Sequence, residues 1–165
     1  MLTKKLIELL EKREFVSVAT CSIDCTPNAA PKFLLKVEGD SLYLVDYTLG
    51  ATCKNLKVNP RASVSFVDPN TLKGYQLNGQ VRIIEKGPKF KKMRNEMLDK
   101  EIRLTTKHII EDVRGEGKHE SFEVVITERF IILHLIIDEM VEIGLKGELK
   151  RSKAAGPKGV SRMPE

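Results

Sequence analysis

Leu2, Leu6, Ile7 and Leu10 fall on one helical face, and their spacing predicts an amphipathic helix over residues 2–13. The pattern then changes. FVSVATC (15–21) is β-branched and small on both faces, as expected of a strand buried on both sides. Turn residues SIDCTPN (22–28) separate it from AAPKFLLKVEGD (29–40), a second strand ending on Gly39–Asp40, a hairpin signal. SLYLVD (41–46) reads as a third strand.

Beyond Asp46 the alternation lapses. DYTLGATCKNLKVNP (46–60) holds a glycine and a short helical run stopped at Asn59–Pro60, since a residue before proline avoids the α region. RASVSFVDP (61–69) and YQLNGQVRIIE (75–85) read as strands, with Gly79 marking a bulge or a close backbone approach. Phe90, Met93, Met97 and Leu98 mark a helix beginning near Gly87–Pro88, and SFEVVIT (121–127) and RFIILHLII (129–137) read as the last strands. This order predicts a mainly β domain with flanking helices, an antiparallel barrel with helical flaps.

Composition narrows the class. The 165 residues are 41% hydrophobic and 31% charged, the balance of one globular domain. No apolar run approaches the roughly 20 residues that span a bilayer, and charges interrupt the N-terminus, so no membrane segment or signal peptide is expected and the address is cytoplasmic. Of the net charge of +5, the segment Lys146–Glu165 carries six basic against two acidic residues, or +4. The expected division is therefore a nearly neutral domain, 1–145, and a basic disordered tail, 146–165. A nucleic-acid-binding barrel ranks last as a reading, because the nine Phe and Tyr residues lie mostly within apolar strands and there is no Trp. Cys21 and Cys25 have no second close pair, and His108, His119 and His134 have no matching spacing, so free thiols and no metal are expected. His134, inside an apolar strand, reads as a core histidine.

The candidate chemistry lies in TLGATCKNLKVNP (48–60), where a strand runs through a glycine into a helix whose first turn falls near Ala51 to Lys54. Unpaired N–H groups at a helix N-terminus suit a phosphate. Thr52 would add a hydroxyl, and Lys54 or Lys32 a charge. The alternative is a plain surface helix with Thr52 as its cap. No carboxylate pair, His–Asp or Cys–His arrangement marks a general acid or base.

PKFLLKV (31–37), YLVDYT (43–48), the T-x-x-N-L run at Thr52, Asn55 and Leu56, NPRASVSF (59–66) and GYQLNGQVRII (74–84) follow one another in an order that resembles the pyridoxamine 5′-phosphate oxidase-like, FMN-binding split barrels. The resemblance covers residues 5–100. It implies a six-stranded antiparallel split β-barrel with FMN held at the interface of a homodimer. By position, Lys32, Phe33 and Leu34 would run along the flavin ring and ribityl chain. Asp46, Tyr47 and Thr48 would end a strand beside it. Thr52, Lys54 and Asn55 would hold the phosphate, and Gln76 would reach in from the strand at 75–85. The blander roles stay open: a solvated Lys32, an Asn55 that only ties its helix down, a Gln76 on an outer face. Ala51 stands where many relatives carry a basic residue, and Lys54, three residues along the helix, is the expected substitute. Residues 121–145 lack the arginines and histidine that bind substrate phosphate in pyridoxamine phosphate oxidases. The implied function is an FMN-dependent oxidoreductase of open substrate. A non-catalytic flavin carrier or sensor, or a binder of the deazaflavin F420, is the alternative.

Overall fold

The computed structural model describes residues 1–113 and 129–154. Helix α1 (Lys4–Glu11) starts at Thr3, whose hydroxyl accepts from the Leu6 N–H, and it buries Leu6 and Leu10. Strands β1 (Phe15–Cys21), β2 (Pro27–Glu38) and β3 (Ser41–Asp46) form a meander, with Gly39 taking a left-handed φ of 59° at the β2–β3 turn. Helix α2 (Ala51–Val58) follows, then β4 (Arg61–Val67), β5 (Gly74–Ile84), helix α3 (Pro88–Val113), β6 (Ile131–Ile143) and β7 (Leu149–Lys153).

All strand pairings are antiparallel. The order is β3-β2-β1-β4-β5-β6, and β6 returns to pair with β3 from Ser41↔Ile136 to Asp46↔Ile131, closing a six-stranded barrel. Closure joins the two ends of the six-stranded run, and β7 remains an edge strand on β6. Val16, Val18, Leu34, Leu42, Leu44, Val64, Leu77, Leu133 and Leu135 fill the interior. A second core lies outside it, where α3 sets Met93 and Met97 on Phe33, Leu35, Tyr43, Val45 and Ile132. Strands β2 and β3 are therefore buried on both faces along FLL and LYLV, and that is why their apolar residues run on without alternating.

Two expectations need correction. Strand β1 is not buried on both sides: Val16, Val18 and Thr20 point inward while Phe15, Ser17 and Ala19 are exposed, so its outer face stays open among the described residues. The tail does not begin at 146. Leu149–Lys153 pairs with β6 from Ile143↔Leu149 to Glu139↔Lys153, and Arg151 reaches Glu139 at 3.3 Å. The last observed strands are thus β6 and β7; the strand expected at 121–127 lies outside the described residues, as do 155–165. At Gly79 the structure matches the expectation. The β5–β6 register shifts between Asn78 and Gly79, and a Cβ there would overlap the Ile136 carbonyl oxygen.

Candidate functional site

Inward-pointing positions of the first three strands are apolar until they reach one end of the barrel, where they turn polar. Thr20 follows Val16 and Val18 on β1, Asn28 and Lys32 share the inward side of β2 with Leu34, and Asp46 follows Leu42 and Leu44 on β3. Helix α2 covers this end. Lys32 Nζ lies 2.7 Å from Asp46 Oδ1, with the two side chains 4% and 0% exposed. The Thr48 backbone N–H and hydroxyl both donate to the same Asp46 oxygen, at 3.1 and 2.9 Å, and Lys32 Nζ also reaches the Thr48 hydroxyl at 3.3 Å. Burial disfavours the Asp46 carboxylate, but the hydrogen bonds from Lys32 and Thr48 and the Lys32 charge outweigh it, so its pKa lies below the ordinary value. Its second oxygen, Oδ2, is buried without a partner.

Thr48 itself is exposed, at the mouth of this pair. Its hydroxyl oxygen lies 3.7 Å from where a Cβ on Gly50 would sit, which sets it beside the start of α2. Gly50 is the N-cap and supplies no side-chain acceptor, so the first-turn N–H groups are left uncapped by side chains. The alternative reading of Thr52 as the cap of this helix does not hold, since Gly50 is the N-cap. Thr52 sits within the first turn, 2% exposed, and its hydroxyl accepts from Asn28 Nδ2 at 3.0 Å. Asn55 is also buried and donates to Thr20 Oγ1 at 3.1 Å. Thr20 and Asn28 face each other across β1 and β2, so this quartet fastens α2 to the barrel. Neither Thr20 nor Asn28 was singled out from the sequence. The available signal was a polar residue continuing the inward parity of an apolar strand.

The remaining candidates scatter. Leu34 is in the barrel, whereas Phe33 points the opposite way into the second core, with Lys100 Nζ 5.3 Å from its ring centroid. Tyr47 is turned toward α3 and donates to Glu101; burial and that carboxylate raise its pKa. Lys54 is exposed on α2. Gln76 lies on the outer face of β5 and donates to Ser63 at 3.1 Å. It ends a cross-strand row Pro31–Ser17–Ser65–Gln76, beside a second row Ala29–Ala19–Ser63–Asn78. The outer wall of β1, β2 and β4 thus carries small side chains, largely exposed. No group of three or more His, Cys, Asp or Glu residues among the described residues is placed to hold a metal ion. No described helix is long and apolar enough to cross a membrane.

A closed six-stranded antiparallel barrel with one polar end under a short helix defines the class as a split-barrel protein. The family profile described as pyridoxamine 5′-phosphate oxidase matches residues 2–131, and the chain belongs to that family. No curated protein matches it. Among solved structures it is similar to a Clostridium acetobutylicum protein related to general stress protein 26 of B. subtilis, of the pyridoxinephosphate oxidase family (18% identity, 92% of this chain and 96% of that one, TM-score 0.60). It is also similar to a pyridoxamine 5′-phosphate oxidase-related, FMN binding protein from Nostoc punctiforme (15% identity, 84% and 79%, TM-score 0.51). A heme binding protein from Mycobacterium smegmatis shares the fold as well (16% identity, 88% and 55%, TM-score 0.59). At these identities the likeness is one of fold.

Proposed function

We propose that this chain is an FMN-binding flavoprotein, an FMN-dependent oxidoreductase that works as a homodimer in the cytoplasm. One observation carries the reading: the uncapped N-terminus of α2 has the exposed Thr48 hydroxyl beside it and the Lys32 ammonium directly behind that hydroxyl. These groups fit a phosphate. The helix offers N–H donors and partial positive charge and Thr48 an exposed hydroxyl, while the Lys32 ammonium behind it is balanced by Asp46. Lys32 enters this seat only as half of its ion pair with Asp46, so the first-turn N–H groups of α2 carry most of the phosphate's stabilisation. Thr52 and Asn55 act on the ligand indirectly, by holding α2 in place.

FMN, when bound, supplies hydride or electron transfer. The chain's own part is to bind, orient and exclude water. The exposed small-residue wall of β1, β2 and β4 leaves room for a flat ring but covers only one side of it. A second copy supplies the cover, and sedimentation should give about twice 18.6 kDa. No residue is assigned to pyridoxamine phosphate itself.

The test is reconstitution of purified protein with FMN, riboflavin, F420 and haem, followed by spectroscopy. A solved F420 reductase and the heme binding protein share the fold, which makes those two ligands the proper competitors. FMN should bind with flavin bands and outcompete riboflavin, which has no phosphate. Preferential uptake of haem or F420, or equal binding of FMN and riboflavin, would sink the proposal. Turnover of reduced nicotinamide with oxygen separates an enzyme from a flavin carrier.

A further inference from the structure

The β1–β2 connection carries two thiols that the flavin reading leaves without a role. Strand β1 ends on Cys21, paired with Pro27, and the turn between them closes through Ser22 N–H to Thr26 O and Cys25 N–H to Ser22 O, each at 3.1 Å. Cys25 occupies the left-handed position of this turn, with φ 63°, a conformation that glycine adopts freely and cysteine does not. It is exposed, and Cys21 is half-buried. Partial burial raises the Cys21 pKa, and the adjacent Cys25 thiol raises it further. Cys53 is buried in the barrel core, among Leu56 and its neighbours.

We propose that Cys21 and Cys25 form a reversible dithiol–disulfide site at the tip of the β1–β2 hairpin, oxidised by small disulfides of the glutathione class. The exposed Cys25 thiolate attacks one sulfur of the oxidant, forming a mixed disulfide and releasing one small thiol. The Cys21 thiol then loses its proton and attacks the Cys25 sulfur, expelling the second small thiol. Two protein thiols are oxidised to one disulfide, and one disulfide is reduced to two thiols. The turn that Ser22 and Thr26 close leaves only three residues between the two thiols, so closure needs movement of an exposed turn and none of the barrel. The rung beside this turn is Thr20–Asn28, which holds α2. The chemistry at the two thiols requires no flavin and stands apart from the proposal above.

Incubation of the 165-residue chain with oxidised glutathione, blocking with N-ethylmaleimide and trypsin digestion tests this directly. Cleavage after Arg13 and Lys32 puts Cys21 and Cys25 on peptide 14–32, whereas Cys53 falls on peptide 37–54. Peptide 14–32 should become lighter by two hydrogens and unreactive to maleimide, and dithiothreitol should reverse both changes. Cys21→Ser should halt the reaction with glutathione attached to Cys25. If the wild type instead accumulates glutathione on Cys25 without closing, links either thiol to Cys53, or keeps both thiols free, the site is not a dithiol switch.

Discussion

Replacing Lys32 by methionine removes the ammonium while keeping an unbranched chain of similar length. Asp46 is then a fully buried carboxylate whose remaining donors come only from Thr48, and one oxygen already has no partner. Removing one member of a buried ion pair costs about 3–5 kcal/mol, because the other charge stays behind without compensation. Against a total stability of about 5–15 kcal/mol this is a large fraction. With a urea dependence of about 2 kcal/mol/M, the unfolding midpoint should drop by ~1.5–2.5 M near neutral pH. The pH dependence should invert as well. In the wild type the Asp46 pKa is depressed, so its stabilisation is present above the unfolded value of about 3.9 and is lost as pH falls through the folded value. In Lys32→Met the buried carboxylate's pKa rises instead, so the penalty is greatest at neutral pH and shrinks as pH falls through the raised value. The double variant Lys32→Met/Asp46→Asn should recover much of the loss. Urea titrations at about pH 7.5, about pH 5 and about pH 3 measure all three effects. Midpoints unchanged at all three pH values, or single-variant losses that simply add, would refute a coupled buried pair.

Other variants probe the flavin seat and the barrel separately. Thr48→Ala should weaken FMN binding about tenfold or more, which equilibrium fluorescence quenching reads, and should also lower stability by about 1–3 kcal/mol, since the Thr48 hydroxyl donates to the buried Asp46 carboxylate. Lys54→Ala should affect binding much less than Thr48→Ala; the reverse order would return the phosphate charge to α2. Thr52→Ala should lower stability by about 1–3 kcal/mol in denaturant titration, since it leaves Asn28 with only its longer bond to Thr20, and any loss of FMN should follow from the shifted helix. Leu133→Ala, at a fully buried barrel position, should cost about 2–5 kcal/mol in the same titration. Gly79→Ala should prevent β5 from closing on β6, so soluble yield and the cooperativity of unfolding should both fall.

The chain's local code determined much of this protein. The Gly39–Asp40 turn, the stop at Asn59–Pro60 and the helix start at Gly87–Pro88 depend on neighbours in sequence, so each is legible without tertiary structure, whereas the one-sided burial of β1 was not. Gly79 was legible too, because a glycine inside a strand pattern has few physical reasons to be there. Strand β7 was not. LKRSK is mostly exposed and shows no apolar alternation; backbone pairing with β6 holds it, and backbone bonds leave no trace in side-chain chemistry. The site divides in the same way. The strand-to-helix turn through Gly50 marked where an anion fits, but no sequence pattern indicates that Asp46 already claims the Lys32 ammonium, nor that Thr52 faces Asn28. Those contacts join residues 14 and 24 positions apart. Gln76 and Lys32 stand on opposite faces of the barrel wall because strand parity is counted from the closed sheet. Only barrel closure through β3 and β6 converts that parity into inside and outside, and closure is a long-range event.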